Sequence, residues 1–262
     1  MLGATFGAVR RVALDGPGRR WALVRELCGL DEESVGGRTT LDAVRLLDRL
    51  LVDEPGACVA PGGASALTLP ERDLLLAAVW RMAWSPHLAG TLTCSSCEQP
   101  FDYDFDLDDL ADRVRLATAE LPSEDGVYTL STGVRFRLPT GDDERALIGL
   151  PDDKAEWTLL IRCLVDGDPD TDGPTVEKAM DQVGSGLDID FDAACTECGA
   201  VLAMRFQIQD YVLGAIVSDW RGRVNDVHRI GLAYGWGLGE IMALPRCRRR
   251  AFIAILDDGA AP

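Results

Sequence analysis

The chain has 262 residues, 47% of them hydrophobic, and a formal net charge of −17. That length buries the core of one large or two modest domains, and no stretch approaches the ~20 consecutive apolar residues of a membrane span. Glu98 to Ala194 holds 25 Asp/Glu against 8 Lys/Arg, so the surplus sits in that segment, and such a surface argues against anionic partners such as nucleic acid or membrane lipid.

Residues 1–90 read as a mainly helical N-terminal region. "MLGATFGAVRRVALDGPGRRW" lacks the continuous apolar core of an export signal, which predicts a cytoplasmic protein. Apolar residues recur at helical spacing over Arg20–Leu30 and over Leu41–Val52, with Thr40 as cap. Glu54–Thr68 is rich in Pro, Gly and small residues and reads as a loop. Leu69–Trp84 restarts a helix with Pro70 near its first turn, and a strand is expected at Gly90–Thr93.

Strict alternation from Phe101 to Leu107 predicts a strand with one carboxylate face. Two alternating runs around Ser131–Thr132–Gly133, closed by Pro139 and a turn, predict a hairpin. Ala155–Val165 and Val176–Val183 are helical, joined by the acidic loop "DGDPDTDGPT". Val201–Gln207 alternates again. The last fifty or so residues read as helices over Gln209–Trp220, Arg223–Tyr234, Leu238–Ala243 and Arg246–Leu256. No repeat is evident beyond two cysteine units.

Those units, "LTCSSCEQPFDYDF" and "AACTECGAVLAMRF", are each a Cys-x-x-Cys turn followed by a strand. Such a turn converges two thiolates, half of a tetrahedral site, and two turns complete a closed structural Zn²⁺ site of Cys94, Cys97, Cys195 and Cys198. Neither pair opens a helix in a βαβ pattern, as a thioredoxin-like redox site does; two ordinary disulfides are the remaining arrangement. Four thiolates leave no position for a catalytic water. Cys28, Cys58, Cys163 and Cys247 read as buried or incidental thiols.

Weaker signals take bland readings. Asp166–Glu177 approaches a calcium loop but places Thr171 where glycine is required, so it reads as a solvated acidic loop. His87 and His228 read as packing or surface residues, although His87 lies near the first cysteine pair. No phosphate loop, metalloprotease motif or nucleophile elbow is present. The expectation is a protein that is not an enzyme and takes no small-molecule substrate.

The ending "VHRIGLAYGWGLGEIMALPRCRRRAFIAIL" gathers an apolar set with Arg246, Arg248, Arg249 and Arg250. It resembles the ending of the T4-family baseplate hub assembly chaperones, found with contractile phage tails and phage-like contractile injection systems. His228, Leu232, Tyr234–Gly235–Trp236, Glu240–Ile241, Leu244, Arg248–Arg249 and Phe252 carry the likeness. Val134–Glu144 and the two cysteine turns resemble the longer bacterial members. One departure is Gly-Leu-Gly after Trp236, where a polar cap is more usual. The resemblance implies a non-enzymatic assembly factor whose partners are baseplate or hub subunits. The residue types themselves name Trp236, Ile241, Leu244, Arg248 and Arg249 as contact residues, or else a helical hairpin packed on its own domain with the arginines as a solvated cap. A zinc-ribbon adaptor in transcription or RNA handling is the alternative.

The fold expected is α+β: a helical N-terminal part, a four-cysteine zinc ribbon (91–107 and 193–207) interrupted by an acidic α/β insert (108–192), and a helical C-terminal module (208–262).

Overall fold

The computed structural model describes residues 8–14, 20–107, 109, 121, 123–184 and 186–258. Among them the chain is a mixed α/β protein with ten α-helices and small antiparallel sheets. It opens not on a helix but on a hairpin of β1 (Val9–Ala13) and β2 (Trp21–Arg25). The helix expected over Arg20–Leu30 is therefore corrected. Five residues of mixed polarity satisfy either period, and Ala22 and Val24, wholly buried on one face of β2, follow the two-residue one.

After α1 (Gly29–Glu33) comes α2 (Thr40–Leu50), capped by Thr39 rather than Thr40, with the Asp42 amide donating to the Thr39 hydroxyl. A single 3₁₀ turn at Ala64–Ala66 interrupts the Glu54–Thr68 loop before α3 (Leu69–Ala83). β3 (His87–Thr93) and β4 (Pro100–Asp106) then pair antiparallel. Gly90 stands opposite Tyr103, and a Cβ there would lie 2.5 Å from the tyrosine hydroxyl, so the ring needs a glycine beneath it.

The next part of the chain has β5 (Ser123–Glu124), β6 (Val127–Thr129), β7 (Arg135–Arg137), α4 (Gly141–Ala146), α5 (Asp152–Cys163), β8 (Leu164–Asp166) and α6 (Pro169–Gly184). The acidic loop expected at "DGDPDTDGPT" is largely helix. Asp168 accepts from the Asp170 amide and Pro169 opens α6, a position where a missing amide costs nothing. β9 (Asp188–Ala194) pairs along its whole length with β10 (Val201–Gln207). The second ribbon half thus begins at Asp188 and not at 193. Most of the insert's expected opening, residues 108–122, lies outside the described residues. α7 (Ile208–Ser218), α8 (Trp220–Tyr234), α9 (Leu238–Met242) and α10 (Arg246–Asp258) complete the chain.

The structure also contains a repeat that the sequence reading did not see. β1–β2–α1–α2–α3 followed by the β3–β4 hairpin has the same order as β6–β7–α4–α5–α6 followed by β9–β10. The isolated bridge Val24–Leu51 of the first unit matches the β7–β8 pairing at Phe136–Leu164 in the second. A shared device fixes each unit's short helix. Arg25 Nη1 donates to Asp31 Oδ2 (2.6 Å), Arg25 Nη2 to the Arg49 carbonyl (2.8 Å), and Arg49 Nε to Asp31 Oδ1 (3.1 Å). In the second unit Arg137 Nη1 donates to Asp143 Oδ2 (2.5 Å), Arg137 Nη2 to the Arg162 carbonyl (2.9 Å), and Arg162 Nε to Asp143 Oδ1 (2.8 Å). Each carboxylate also accepts the amide three residues before it, from Cys28 or Thr140. That bond satisfies an orphan donor of the helix N-terminus and links helix to strand.

The first unit and α7 share the largest core, built on residues such as Leu46, Leu75, Val79 and Leu213. The second unit has its own small core around Phe136, Leu160 and Val176. A third cluster lies under the cysteines and a fourth joins Ile230, Ile241 and Ile253 of the C-terminal helices.

Candidate metal centre

Each repeat ends in a cysteine turn, and the two turns meet. Cys94 to Cys97 and Cys195 to Cys198 are tight turns between paired strands, closed by the same bonds. The Cys94 amide donates to the Gln99 carbonyl (2.9 Å) and the Glu98 amide to the Cys94 carbonyl (2.9 Å). Cys195 and Ala200, then Gly199 and Cys195, repeat the pattern at 2.8 and 2.9 Å. The fifth residue of each turn is left-handed: Glu98 has φ 59° and Gly199 φ 73°. Glycine adopts that conformation freely and glutamate at a cost of about 1–2 kcal/mol.

The four sulfurs lie within 4.8 Å of one another. Cys94 Sγ is 3.7 Å from Cys198 Sγ, and Cys97 Sγ is 3.8 Å from Cys195 Sγ. These distances far exceed the ~2.05 Å of a disulfide, and all eight cysteines are free thiols. Four ligands at about 2.3 Å from one tetrahedral ion would stand about 3.8 Å apart. The set is therefore compatible with a metal site. Cys94 and Cys195 are buried and Cys198 faces solvent, so one corner is accessible.

The sulfurs do not titrate alike. Amide bonds from Ser96 and Cys97 hold Cys94 down to about 6. Cys97 also receives an amide, from Gln99, yet desolvation and the sulfurs of Cys198, Cys94 and Cys195 push it up to about 12. Cys198 is raised as well, although an amide bond from Ala200 pulls it down. Four crowded sulfurs cannot all carry charge without a cation between them; without one, protons remain on some of them.

At the base of the ribbon, the end away from the cysteines, an aromatic path runs into the body. Phe105 of β4 meets Phe206 of β10 edge-on at 5.0 Å between ring centres, Phe206 leads to Tyr211 at 5.6 Å, and Tyr211 to Trp80 at 4.7 Å. Trp80 stacks on Trp84 at 4.5 Å, and the Arg246 guanidinium lies 4.3 Å above Trp84. Such contacts hold the ribbon against α3 and α10 more firmly than area burial alone.

His87 begins β3, at the end of that strand away from Cys94, with Nε2 3.1 Å from Asp104 Oδ2. It is not brought to the cysteines. His228 is exposed on α8.

The residues named for partner contact divide. Trp236 and Arg248 are exposed and Leu244 is half-buried. Ile241, 1% exposed, is instead core, packed with Ile230 and Ile253. Arg249 is wholly buried: Nη2 donates to Glu32 Oε2 at 2.5 Å. Arg246 is likewise buried rather than solvated: it donates to Glu32 Oε1 (2.7 Å) and pairs with Asp219 (2.7 Å). Buried arginines require such partners, since an unpaired buried charge costs several kcal/mol. Sequence reasoning missed Glu32, Asp219 and Asp226, the acids facing these arginines. The available signal was Arg-x-x-Cys-Gly-x-Asp-Glu at Arg25–Glu32, which recurs as Arg-x-x-Thr-Gly-x-Asp-Glu at Arg137–Glu144.

Around Trp236 an exposed apolar surface remains, formed by Leu232, Tyr234, Leu238 and, on α10, Ile255. Tyr234, Trp236 and Phe252 pack ring against ring, with Trp236 edge-on to Phe252 at 5.1 Å. No helix among the described residues is long and apolar enough to cross a membrane. Compared with known proteins, the chain matches no family model, no curated protein and no solved structure.

Proposed function

We propose that the protein is a non-enzymatic binding factor, clamped by a structural Zn²⁺, that serves assembly of the baseplate or hub of a contractile tail-like particle. Zinc suits four thiolates in a closed tetrahedral set, and that set offers no open position for water chemistry. The metal fixes one repeat against the other, and its site is half the property of each. The binding half of this reading rests on the exposed aromatic surface of the C-terminal helices, held in place by the buried Arg246 and Arg249 pairs. Large rigid aromatics such as Trp236, and exposed arginines such as Arg248, are the residue types that anchor protein interfaces. The resemblance of the ending to baseplate hub assembly chaperones supplies the process.

The test is co-purification with baseplate or hub subunits encoded beside the gene, together with particle assembly. Trp236→Ala combined with Arg248→Ala, both exposed and hence compatible with folding, is expected to abolish both. Unchanged capture and assembly would reject the binding role.

A further inference from the structure

Among the described residues, the repeat leaves one surface covered in the first unit and open in the second. In the first, α7 lies across α2 and α3 and buries Val212, Leu213 and Ile216, with Tyr211 edge-on to Trp80. Leu46 and Val79 beneath it are fully buried. Their counterparts are Leu159, three residues before Arg162 as Leu46 is before Arg49, and Met180, fifteen residues before its cysteine turn as is Val79. Leu159 and Met180 are only half-buried and line a cleft of about 690 Å³ between α5, α6 and the base of the ribbon. This size is typical of a ligand-binding groove.

The rim of the cleft is acidic. Glu156, Glu177, Asp181 and Asp190 border it, and among the described residues none of them forms an ion pair. Arg205, the one cation in the lining, is held by Asp188 through Nε–Oδ1 and Nη2–Oδ2 contacts of 2.7 and 2.6 Å. Glu177 and Asp181 are four residues apart on α6, one turn along the same face.

The geometry points to this groove as the docking site for an amphipathic helix of a partner protein, one that carries lysine or arginine beside its apolar stripe. The covered groove of the first unit shows which element fits the fold; the four carboxylates specify the charge. An apolar stripe then meets Leu159 and Met180 while cations meet the rim, the helix-in-groove mode with electrostatic steering. Residues 108–120, which follow β4 as α7 follows β10, are a poor occupant by charge. They carry Asp108, Asp109, Asp112 and Glu120 against Arg113 and Arg115, an acidic balance where the rim calls for cations.

The probe is a fluorescein-labelled peptide of about 18 residues, long enough to form a helix, with a leucine stripe flanked by lysines. Its anisotropy is measured against the zinc-loaded full chain at about 150 mM salt. Saturable one-to-one binding is expected. Glu156→Gln/Glu177→Gln/Asp181→Asn/Asp190→Asn, and separately Met180→Gln, should each weaken it about tenfold or more. Neutralising Asp53, Asp102 and Asp104 to Asn and Glu54 to Gln, all exposed and outside the cleft lining, should leave it unchanged. No saturable binding, an equal loss in that control variant, or full displacement by equimolar spermine would overturn the proposal. So would an about tenfold gain in affinity on Leu110→Asp/Val114→Asp, which would identify this chain's own segment as the occupant. None of these results bears on Trp236 and Arg248, so this inference and the function proposed above fail separately.

Discussion

Asp73 should make the protein less stable as pH rises toward neutrality. The residue is 2% exposed; Oδ2 accepts the Leu187 amide at 2.8 Å, and Oδ1 has no hydrogen-bond partner among the described residues. Desolvation pushes its pKa from 3.8 up to about 7, against the Leu187 amide and Arg72, with Asp188 and Glu144 adding to the rise. A carboxyl raised by about 3 units favours the folded state in its protonated form by about 4 kcal/mol. That contribution is complete below the unfolded pKa, near pH 4, and is lost once pH has risen through about 7. About 2.5 kcal/mol of the loss falls between pH 5 and 8. Asp73→Asn keeps an oxygen for Leu187 and cannot ionise. Urea unfolding of both proteins across that range, with zinc saturating, should give a difference in free energy that moves in favour of the variant by about that amount. Parallel curves would refute the reasoning, because every other titrating group is common to the two proteins.

Other expectations follow from the metal centre and the arginines. Zinc binding at pH 7 should release at least two protons, because Cys97 and Cys198 are both raised; calorimetry in buffers of different ionisation enthalpy measures this, and release of none would contradict it. Cys195→Ser should purify without its equivalent of zinc by elemental analysis and should melt lower than the parent. Glu98→Gly relieves a left-handed glutamate and should stabilise the protein by about 0.5–1 kcal/mol in thermal unfolding; Gly199→Glu should act in the opposite sense. Arg249→Met leaves Glu32 buried with only part of its compensation and should cost about 3–5 kcal/mol. A double-mutant cycle with Glu32→Gln should recover much of that loss, and strict additivity would show that the pair is not coupled.

The cysteine frame was legible because its chemistry is local: two residues between paired thiols, then a strand, written twice. β10 and the C-terminal helices were legible for a similar reason, since one period runs unbroken along each. The repeat was not. Its two units share Arg, Gly, Asp and Glu at the short helix, but their apolar positions exchange one residue type for another, and packing rather than identity preserves the fold. The acidic start of α6 hid behind prolines and aspartates: Pro169 and Asp170 suit a first turn, but Pro174 lies inside the helix, where proline is ordinarily read as a breaker. Arg249 read as surface because its partner, Glu32, is 217 positions away. Nothing in the neighbourhood of an arginine announces a distant carboxylate.

Two of the buried arginines show how the parts are joined. Arg249 stands four residues after Pro245, donates to the Leu244 carbonyl at 3.4 Å and reaches Glu32 on α1. Arg72 stands four residues after Thr68, donates to the Leu67 carbonyl at 3.2 Å and reaches Glu144 on α4. Backbone bridges accompany both, Cys28 with Pro245 and Thr68 with Thr140. The start of α3 thus grips the second unit in the way that the start of α10 grips the first. Each grip pairs a charge that is costly to bury with the one partner that offsets it, and so tolerates few alternative placements. The C-terminal helices are therefore docked by a contact already used between the repeats, and the Leu-Pro and Arg of the ending are explained by docking in cis. That leaves Trp236 and Arg248, which take no part in it, free to meet another protein.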